Sequence, residues 1–156
     1  MKNLPKEKQK LFRDVLKRVR ENPNSRFDLM DTFIQHGDTT VRTHCLHVAQ
    51  TAFYLACKFK LKVDEEALIR GALLHDYFLY DWHELSLANT IHGYTHPGFA
   101  LREASKDFEL TETEKDMIIH HMFPLTLVPP FTPEGWILMI ADKICALGET
   151  IGDRIK

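Results

Sequence analysis

The doublet His75–Asp76 constrains the fold of this chain more than any other stretch of its sequence. It ends an apolar segment in which Leu68, Ala72 and His75 recur at intervals of four and three, the spacing of one helix face. A carboxylate at the end of such a buried face is costly unless it is paired, hydrogen-bonded or bound to a metal ion. The doublet therefore predicts a polar centre inside a bundle of helices.

Two other apolar segments with helical spacing carry the same kinds of side chain. His44 lies in the middle of a stripe of apolar residues spaced by three and four, whereas His47 is one position off that stripe. We therefore expect His44 to point inward and His47 to flank it. Asp142 lies inside the apolar segment 136–147, where a carboxylate requires a cation nearby.

Three more histidines are candidates for the same centre. His96 belongs to a Thr-His-Pro sequence, which is typical of the first turn of a helix and can aim the ring into a cleft. His120 and His121 are adjacent, so only one of them can point squarely inward unless their helix ends there, as Pro124 suggests. Loop or surface positions are expected for three other histidines: His36, His83 and His92.

Capping residues and prolines divide the sequence into helices and turns. Thr39 or Thr40, Asp64 and Thr111 are expected to cap helices, the last within a capping box. Segment 77–94 is rich in aromatic residues and only loosely periodic, so it is expected to be a long connection. We predict an all-α fold with helices over 5–21, 27–34, 40–59, 64–75, from 95 onward, 111–121 and from 132 onward.

Composition argues against several classes of function. The 156 residues carry a net charge of -2, which gives no general attraction toward a nucleic-acid duplex or an anionic membrane. No apolar run approaches the ~20 residues that span a bilayer, and residues 1–21 lack the apolar core of a signal peptide. The three cysteines form no C-x-x-C pair and are interpreted as reduced thiols. We therefore expect a single cytoplasmic domain without a membrane partner.

Imidazoles and carboxylates together form an H…HD…D pattern along the chain. Four of these side chains suit one metal ion, and six or seven suit two ions with Asp76 free to bridge them. Mixed nitrogen and oxygen donors favour iron, manganese, cobalt, nickel or zinc over calcium or magnesium. The four residues of the pattern are His44, His75, Asp76 and Asp142.

These residues occur in five ordered segments that together resemble the HD-domain superfamily of metal-dependent phosphohydrolases. The segment order is similar to that of the bacterial symmetrical diadenosine tetraphosphate hydrolases and, at a distance, of cyclic-dinucleotide phosphodiesterases with an HD-GYP motif. Segments 77–79 and 122–125 depart from the usual continuations, which leaves the substrate open. The matching segments are 42–49, 72–76, 96–100, 118–121 and 140–143.

The resemblance implies a single HD-domain helical bundle over residues 1–156, with an N-terminal helical extension at 1–37 and a metal-binding core at 38–149. It implies one or two divalent transition-metal ions and hydrolysis of a phosphoester or phosphoanhydride by metal-activated hydroxide. Catalytic roles fall to Asp76 and Lys143. Either Lys143 or Arg42 could bind a phosphate or orient a ligand, and a surface or salt-bridging role is the alternative for each. The implied metal ligands are His44, His75, Asp76, His96, His120, His121 and Asp142.

The implied substrate is a small phosphorylated molecule similar to a nucleotide or dinucleotide. Segments 77–82 and 123–131 are the expected walls of its site, and a homodimer is compatible with the sequence. Two other functions could use the same residues: an HD-type di-iron oxygenase, and a regulatory module that binds metal or nucleotide without turnover. Oxygen dependence distinguishes the first alternative, and turnover that is lost on Asp76→Ala distinguishes the second.

Overall fold

Helices make up nearly all of the regular structure. The computed structural model describes residues 4–36, 38–77 and 89–154. It confirms the predicted all-α fold, apart from one very short two-stranded sheet. Among the described residues, no helix is both long enough and apolar enough to cross a membrane. The elements are α1 (Lys6–Glu21), a 3-10 helix (Phe27–Thr32), β1 (Ile34–His36), β2 (Thr39–Thr40), α2 (Val41–Lys58), α3 (Glu65–Leu74), α4 (Asn89–Asp107), α5 (Glu112–His120) and α6 (Pro133–Arg154).

Side-chain caps begin three helices where the sequence predicts them. Thr40 and Asp64 each accept a hydrogen bond from the backbone amide three residues later, at the starts of α2 and α3. Thr111 forms the predicted capping box at the start of α5. These bonds satisfy amides that have no partner within the helix. Since α3 begins at its cap and has only 10 residues, the doublet His75–Asp76 lies directly beyond its last turn.

Helix α2 packs against both α3 and α6 and carries the predicted inward stripe. His44 is 0% exposed and lies on the same buried face as Val48 and Ala52. The side chain of His47, one position off the stripe, is 52% exposed. The helical periodicity therefore predicts correctly which of the two histidines faces the interior.

Helix α1 joins α3 through an apolar face and a charged edge. Lys8 pairs with Glu65 at 2.6 Å, and Arg18 pairs with Glu66 at 2.6 Å. Both acids lie in the first turn of α3, where negative charge is also favoured by the helix dipole. The predicted division of the chain into an N-terminal extension, 1–37, and a metal-binding core, 38–149, stays a prediction. The buried residues of α1 are Phe12, Val15 and Val19.

Close approach of α3 and α5 brings their C-terminal ends together. A Cβ added at Gly71 of α3 would lie 2.6 Å from Met117 Sδ of α5, so the absence of a side chain allows this approach. As a result, the rings of His75 and His121, which follow the two helices, meet edge to face at 5.0 Å.

Two predicted elements are wrong in detail. Segment 27–34 forms no α-helix: it is a 3-10 helix followed by β1, which pairs antiparallel with β2. Helix α4 does not begin at the Thr-His-Pro sequence, because it begins at Asn89 and Pro97 lies inside it. Proline is common in the first turn since its missing N–H costs nothing there, but here about two turns of helix precede it.

Tyr77 was expected in a substrate-facing wall, and this expectation is wrong. The ring is 0% exposed and packs edge to face on Phe108 at 5.5 Å. Its hydroxyl donates to Asp107 at 2.7 Å and accepts from the Arg26 backbone N–H at 2.6 Å. Tyr77 therefore ties the end of α3 to α4 and to the N-terminal segment. The rest of the expected aromatic wall, 78–82, lies outside the described residues, as does His83.

Tyr77→Phe is expected to lower the free energy of unfolding by about 1–3 kcal/mol, because it leaves the half-buried Arg26 N–H without its acceptor and removes one of the donors to Asp107. Urea unfolding followed by circular dichroism measures the change. Tyr54→Phe, at a half-buried tyrosine of α2, is the matched control and should change stability by less than about 0.5 kcal/mol. Equal effects of the two variants would contradict this role for Tyr77.

Candidate metal centre

Six polar side chains meet in the interior of the bundle, and five helices position them. Each residue is at most 8% exposed, so the group is almost completely removed from water. Charged and polar groups are seldom buried together unless they compensate one another or bind an ion. The six are His44 of α2, His75 and Asp76 directly after α3, His96 of α4, His121 directly after α5, and Asp142 of α6.

One half of the cluster surrounds Oδ2 of Asp76 and Oδ1 of Asp142. His75 Nε2 lies 3.5 Å from Asp76 Oδ2 and 3.6 Å from Asp142 Oδ1. His44 Nε2 lies 4.0 Å from Asp76 Oδ2 and 3.0 Å from Asp142 Oδ1. Two imidazoles and two carboxylates therefore converge on one small volume.

The other half of the cluster faces Oδ1 of Asp76. His96 Nε2 lies 3.2 Å and His121 Nε2 lies 3.3 Å from this oxygen. The two ring nitrogens are 2.9 Å from each other. Asp76 thus presents one oxygen to each half, which is the arrangement of a carboxylate able to bridge two ions.

Backbone and carboxylate acceptors orient three of the imidazoles. His75 Nδ1 donates to the Ala72 carbonyl at 2.8 Å, and His121 Nδ1 donates to the Ile118 carbonyl at 2.7 Å. Both contacts run from the residue after a helix to the carbonyl three residues earlier. His44 Nδ1 lies 2.9 Å from a carboxylate oxygen of Glu149. Because these acceptors hold the proton on Nδ1, Nε2 of each neutral ring offers its lone pair to the cluster.

The carboxylates of the cluster attract positive charge strongly. Burial would raise the pKa of Asp76, but the nearby imidazoles of His75 and His96 outweigh burial and hold that pKa well below its usual range. Burial alone would lower the pKa of the His44 imidazole, but hydrogen bonds with Asp142 and Glu149 outweigh burial and raise this pKa to about 10. Without a bound ion, protons on these imidazoles supply the compensating charge, and a divalent metal ion can replace the protons in this role.

The donor atoms fit a metal ion on two counts. Within the described part of the chain, His75 Nε2 and Asp76 Oδ1 are buried and form no well-aligned hydrogen bond, although imidazole nitrogens lie 3.2 and 3.3 Å from Asp76 Oδ1. Buried polar atoms of this kind are costly unless another species binds them. Two triads of donor atoms also lie within 4.8 Å: His44, His75 and Asp142 form one, and His75, Asp76 and His121 form the other. Ligands about 2.0–2.2 Å from one ion have separations of this size.

Comparison with sequence models of known protein families identifies the family of this chain. The sequence model of the HD domain matches residues 41–147, more than half of the 156-residue chain. The chain belongs to the HD domain family. HD domains constitute a superfamily of metal-dependent phosphohydrolases, and the H…HD…D pattern of this chain falls within the matched residues. Comparisons with curated proteins and with solved structures found no match.

This HD domain does not bring His120 into the cluster. The Nδ1 atom of His120 lies 3.0 Å from Asp116 Oδ1, and its ring packs edge to face on Phe131 at 5.2 Å. The following residue, His121, is the member of the pair that faces Asp76. The adjacent histidines point in different directions, as expected for neighbouring positions at the end of a helix.

Lys143 of the HD domain lies beside the cluster. Its ammonium donates to the His121 carbonyl at 3.1 Å and lies 4.0 Å from Asp142 Oδ2. Burial lowers its pKa, and the Asp142 carboxylate partly offsets this effect. With 39% of the side chain exposed, the ammonium also reaches solvent. It therefore links α6 to the end of α5 next to two members of the cluster.

The sequence analysis missed two residues that hold the cluster. Gln35 of β1 is buried, and its Nε2 donates to Asp76 Oδ2 at 2.6 Å. Glu149 of α6 contacts both His44 and His47. A signal for Glu149 exists, because it follows Asp142 by seven residues and so lies two turns along the same helix face. A three-residue strand offers no comparable periodicity for Gln35.

Glu149→Gln is expected to weaken metal binding about 10–100-fold, since a carboxylate that holds a ligand imidazole raises its basicity and fixes its orientation. Calorimetric titration with Mn²⁺ measures the dissociation constant. The matched control is His47→Gln, which changes the exposed partner of Glu149 and leaves the contact with His44 in place. An unchanged Mn²⁺ affinity in Glu149→Gln would show that the contact does not support metal binding.

Proposed function

We propose that this chain is a metal-dependent phosphohydrolase that cleaves a phosphoester or phosphoanhydride bond of a nucleotide or dinucleotide. The observation that carries the proposal is the position of Asp76: within an HD domain, its two oxygens face two different sets of imidazoles. A purely structural cluster would satisfy its buried atoms internally. Here His75 Nε2 and Asp76 Oδ1 form no well-aligned hydrogen bond with another described residue.

Two groups of residues would hold the metal. His44, His75, Asp76 and Asp142 offer donors for one ion, and His96 and His121 offer further imidazoles on the other side of Asp76. Imidazole with carboxylate suits iron, manganese, cobalt, nickel or zinc. When bound, such an ion lowers the pKa of a coordinated water to supply hydroxide near neutral pH, and it offsets charge on phosphate oxygens.

The protein supplies orientation and charge around that chemistry. Gln35 fixes one oxygen of Asp76 by donating to it, which leaves the other oxygen directed at His96 and His121. Lys143 places a partly exposed ammonium beside Asp142. A positive group at this position is suited to binding a phosphate oxygen of the substrate. We therefore assign Lys143 a role in substrate binding and Asp76 the central role in holding metal.

The substrate class rests on the segment order along the chain. That order is similar to the bacterial symmetrical diadenosine tetraphosphate hydrolases, which favours a dinucleotide or nucleotide over a larger phosphorylated polymer. The net charge of -2 supports the same choice, because a nucleic-acid duplex is bound through a basic surface. A small phosphorylated molecule is therefore the proposed partner.

A substrate panel tests the proposal. Purified protein is stripped of metal, reloaded with Mn²⁺, Fe²⁺, Co²⁺, Ni²⁺ or Zn²⁺, and incubated with mononucleotides, dinucleoside polyphosphates and cyclic dinucleotides. We expect release of phosphate or nucleotide with at least one metal and none after chelation. Metal-loaded protein that is silent across the panel but consumes oxygen would contradict the proposal in favour of di-iron oxygenase chemistry.

A further inference from the structure

We propose that the outward face of α6 is a symmetric contact between two copies of this chain. The face is defined by four apolar residues, called the outer stripe: Trp136, Ile140, Ile144 and Leu147. They are 40%, 47%, 51% and 64% exposed, respectively. Apolar side chains spaced by four, four and three form a continuous line along one side of a helix. A line of this kind on the surface marks an interaction site when it is extensive enough.

The outer stripe lies on the opposite side of α6 from the metal centre. Ile140 and Ile144 are each two positions from Asp142, which is about 200° around the helix axis. Asp142 points into the buried cluster, so the stripe points away from it. The stripe therefore points away from the metal centre, and pairing of two chains can be tested without a known substrate.

The outer stripe is large enough for a reversible dimer. Its four side chains offer apolar surface on the order of 400 Å². Stable interfaces bury about 800 Å² per partner, including the polar residues around the apolar centre. Trp136 is also held in place by an edge-to-face contact with Phe123 at 5.6 Å, so it loses little freedom on binding.

The charge of α6 favours a protein partner over a membrane surface. Between Pro133 and Thr150 the only basic residue is Lys143, while the three carboxylates of this segment, Glu134, Asp142 and Glu149, point into the protein. Helices that lie on anionic membranes instead flank their apolar face with lysine and arginine. The outer stripe itself contains no charge that would have to be matched by a partner, which permits pairing with an identical surface.

A twofold axis makes the surface complementary to itself. Trp136, Ile140, Ile144 and Gly148 form one i+4 ridge, and two such ridges pack in the commonest helix-crossing geometry, near -50°. An axis through the middle of the ridge places Ile140 of one copy against Ile144 of the other. It also places each Trp136 against Gly148 of the other copy. A Cβ added at Gly148 meets no atom within 4 Å in the chain itself, so the space beside this glycine is open to the indole.

Gly148→Gln tests the pairing without disturbing the fold. The added side chain has open space in the monomer, and replacing an interior glycine raises helix propensity by up to about 1 kcal/mol. Analytical ultracentrifugation at about 100 µM, well above a micromolar dissociation constant, should give twice the chain mass of 18.2 kDa for the unaltered protein. The variant should sediment as a monomer with an equal or higher melting temperature.

Two further variants and a control complete the test. Ile144→Lys should also yield a monomer, because it places a charge at the centre of the contact. Leu61→Lys is the control: Leu61 is 44% exposed in a groove with Leu4 and Lys8, and its replacement should leave the dimer intact. The double variant Trp136→Ala with Gly148→Trp exchanges the large and small positions and should restore the dimer.

Three results would overturn the inference as a whole, and a fourth would contradict one contact within it. The first is a monomer at about 100 µM in the unaltered protein. The second is a dimer that survives both Gly148→Gln and Ile144→Lys, which would place the contact elsewhere. The third is a monomer that binds phosphatidylserine vesicles through the outer stripe, as shown by loss of binding in Ile144→Asp, which would make a lipid surface the occupant. A double variant that stays monomeric would contradict the pairing of Trp136 with Gly148.

Discussion

Asp76→Ala is expected to lower kcat/KM for the substrate found in the panel by at least about 1000-fold. The carboxylate lies within 3.5 Å of His75, His96 and His121, and it receives the Gln35 amide at 2.6 Å. Its removal takes away one of the two carboxylates that attract the cation, and the one whose two oxygens face the two halves of the described cluster. Steady-state kinetics with the preferred metal measure the loss.

Glu66→Gln is the matched control for Asp76→Ala. Glu66 lies at the other end of α3, where it forms an exposed pair with Arg18. Surface pairs of this kind contribute little, so kcat/KM should change less than about twofold. Circular dichroism shows whether each variant is folded. A folded Asp76→Ala protein that retains more than about a tenth of its activity would exclude Asp76 as a metal ligand essential for catalysis.

Asp116→Ala is expected to lower the free energy of unfolding by about 2–4 kcal/mol. The side chain, 9% exposed, accepts hydrogen bonds from the Phe131 and Thr132 amides at 2.9–3.1 Å and from the Thr132 hydroxyl at 2.6 Å. His120 Nδ1 lies 3.0 Å from the same carboxylate. Alanine would leave these groups without their acceptor and release the loop that joins α5 to α6. Urea unfolding at neutral pH measures the effect.

The control for Asp116→Ala is Asp28→Ala. The Asp28 carboxylate is 53% exposed and pairs with Arg20, so its loss should lower the free energy of unfolding by less than about 1 kcal/mol.

The pH dependence of the Asp116→Ala effect gives a second check. Burial raises the pKa of Asp116, but the hydrogen bonds from Thr132 and Phe131 outweigh it and lower the pKa below its usual value. A carboxyl with a lowered folded pKa stabilises the protein above its unfolded pKa, about 3.9, and loses this effect as the pH falls. The difference in free energy of unfolding between the unaltered protein and Asp116→Ala should therefore shrink from neutral pH toward about pH 3.

Periodicity predicts the parts of the centre that lie on regular helices. The direction of His44 follows from its place in an apolar stripe, and the position of His75–Asp76 follows from the cap at Asp64. Both features depend only on residues within one helix, which is the range over which sequence spacing carries geometric information.

Contacts between distant elements could not be predicted in the same way. Gln35 meets Asp76 across 41 positions of the chain, and Tyr77 meets Arg26 across 51. Such pairs depend on how helices pack, which the local pattern does not specify. The choice between His120 and His121 was open for a related reason, since it depends on where α5 ends and on what Asp116 anchors.

The central claim is that the buried cluster holds a divalent metal through His121 and not through its neighbour. Calorimetric titration of metal-stripped protein with Mn²⁺ tests it most directly, with His121→Gln and His120→Gln as a matched pair. The account predicts saturable binding of one or two ions per chain, weakened at least about tenfold in His121→Gln and nearly unchanged in His120→Gln. No saturable binding, or equal weakening in both variants, would contradict it.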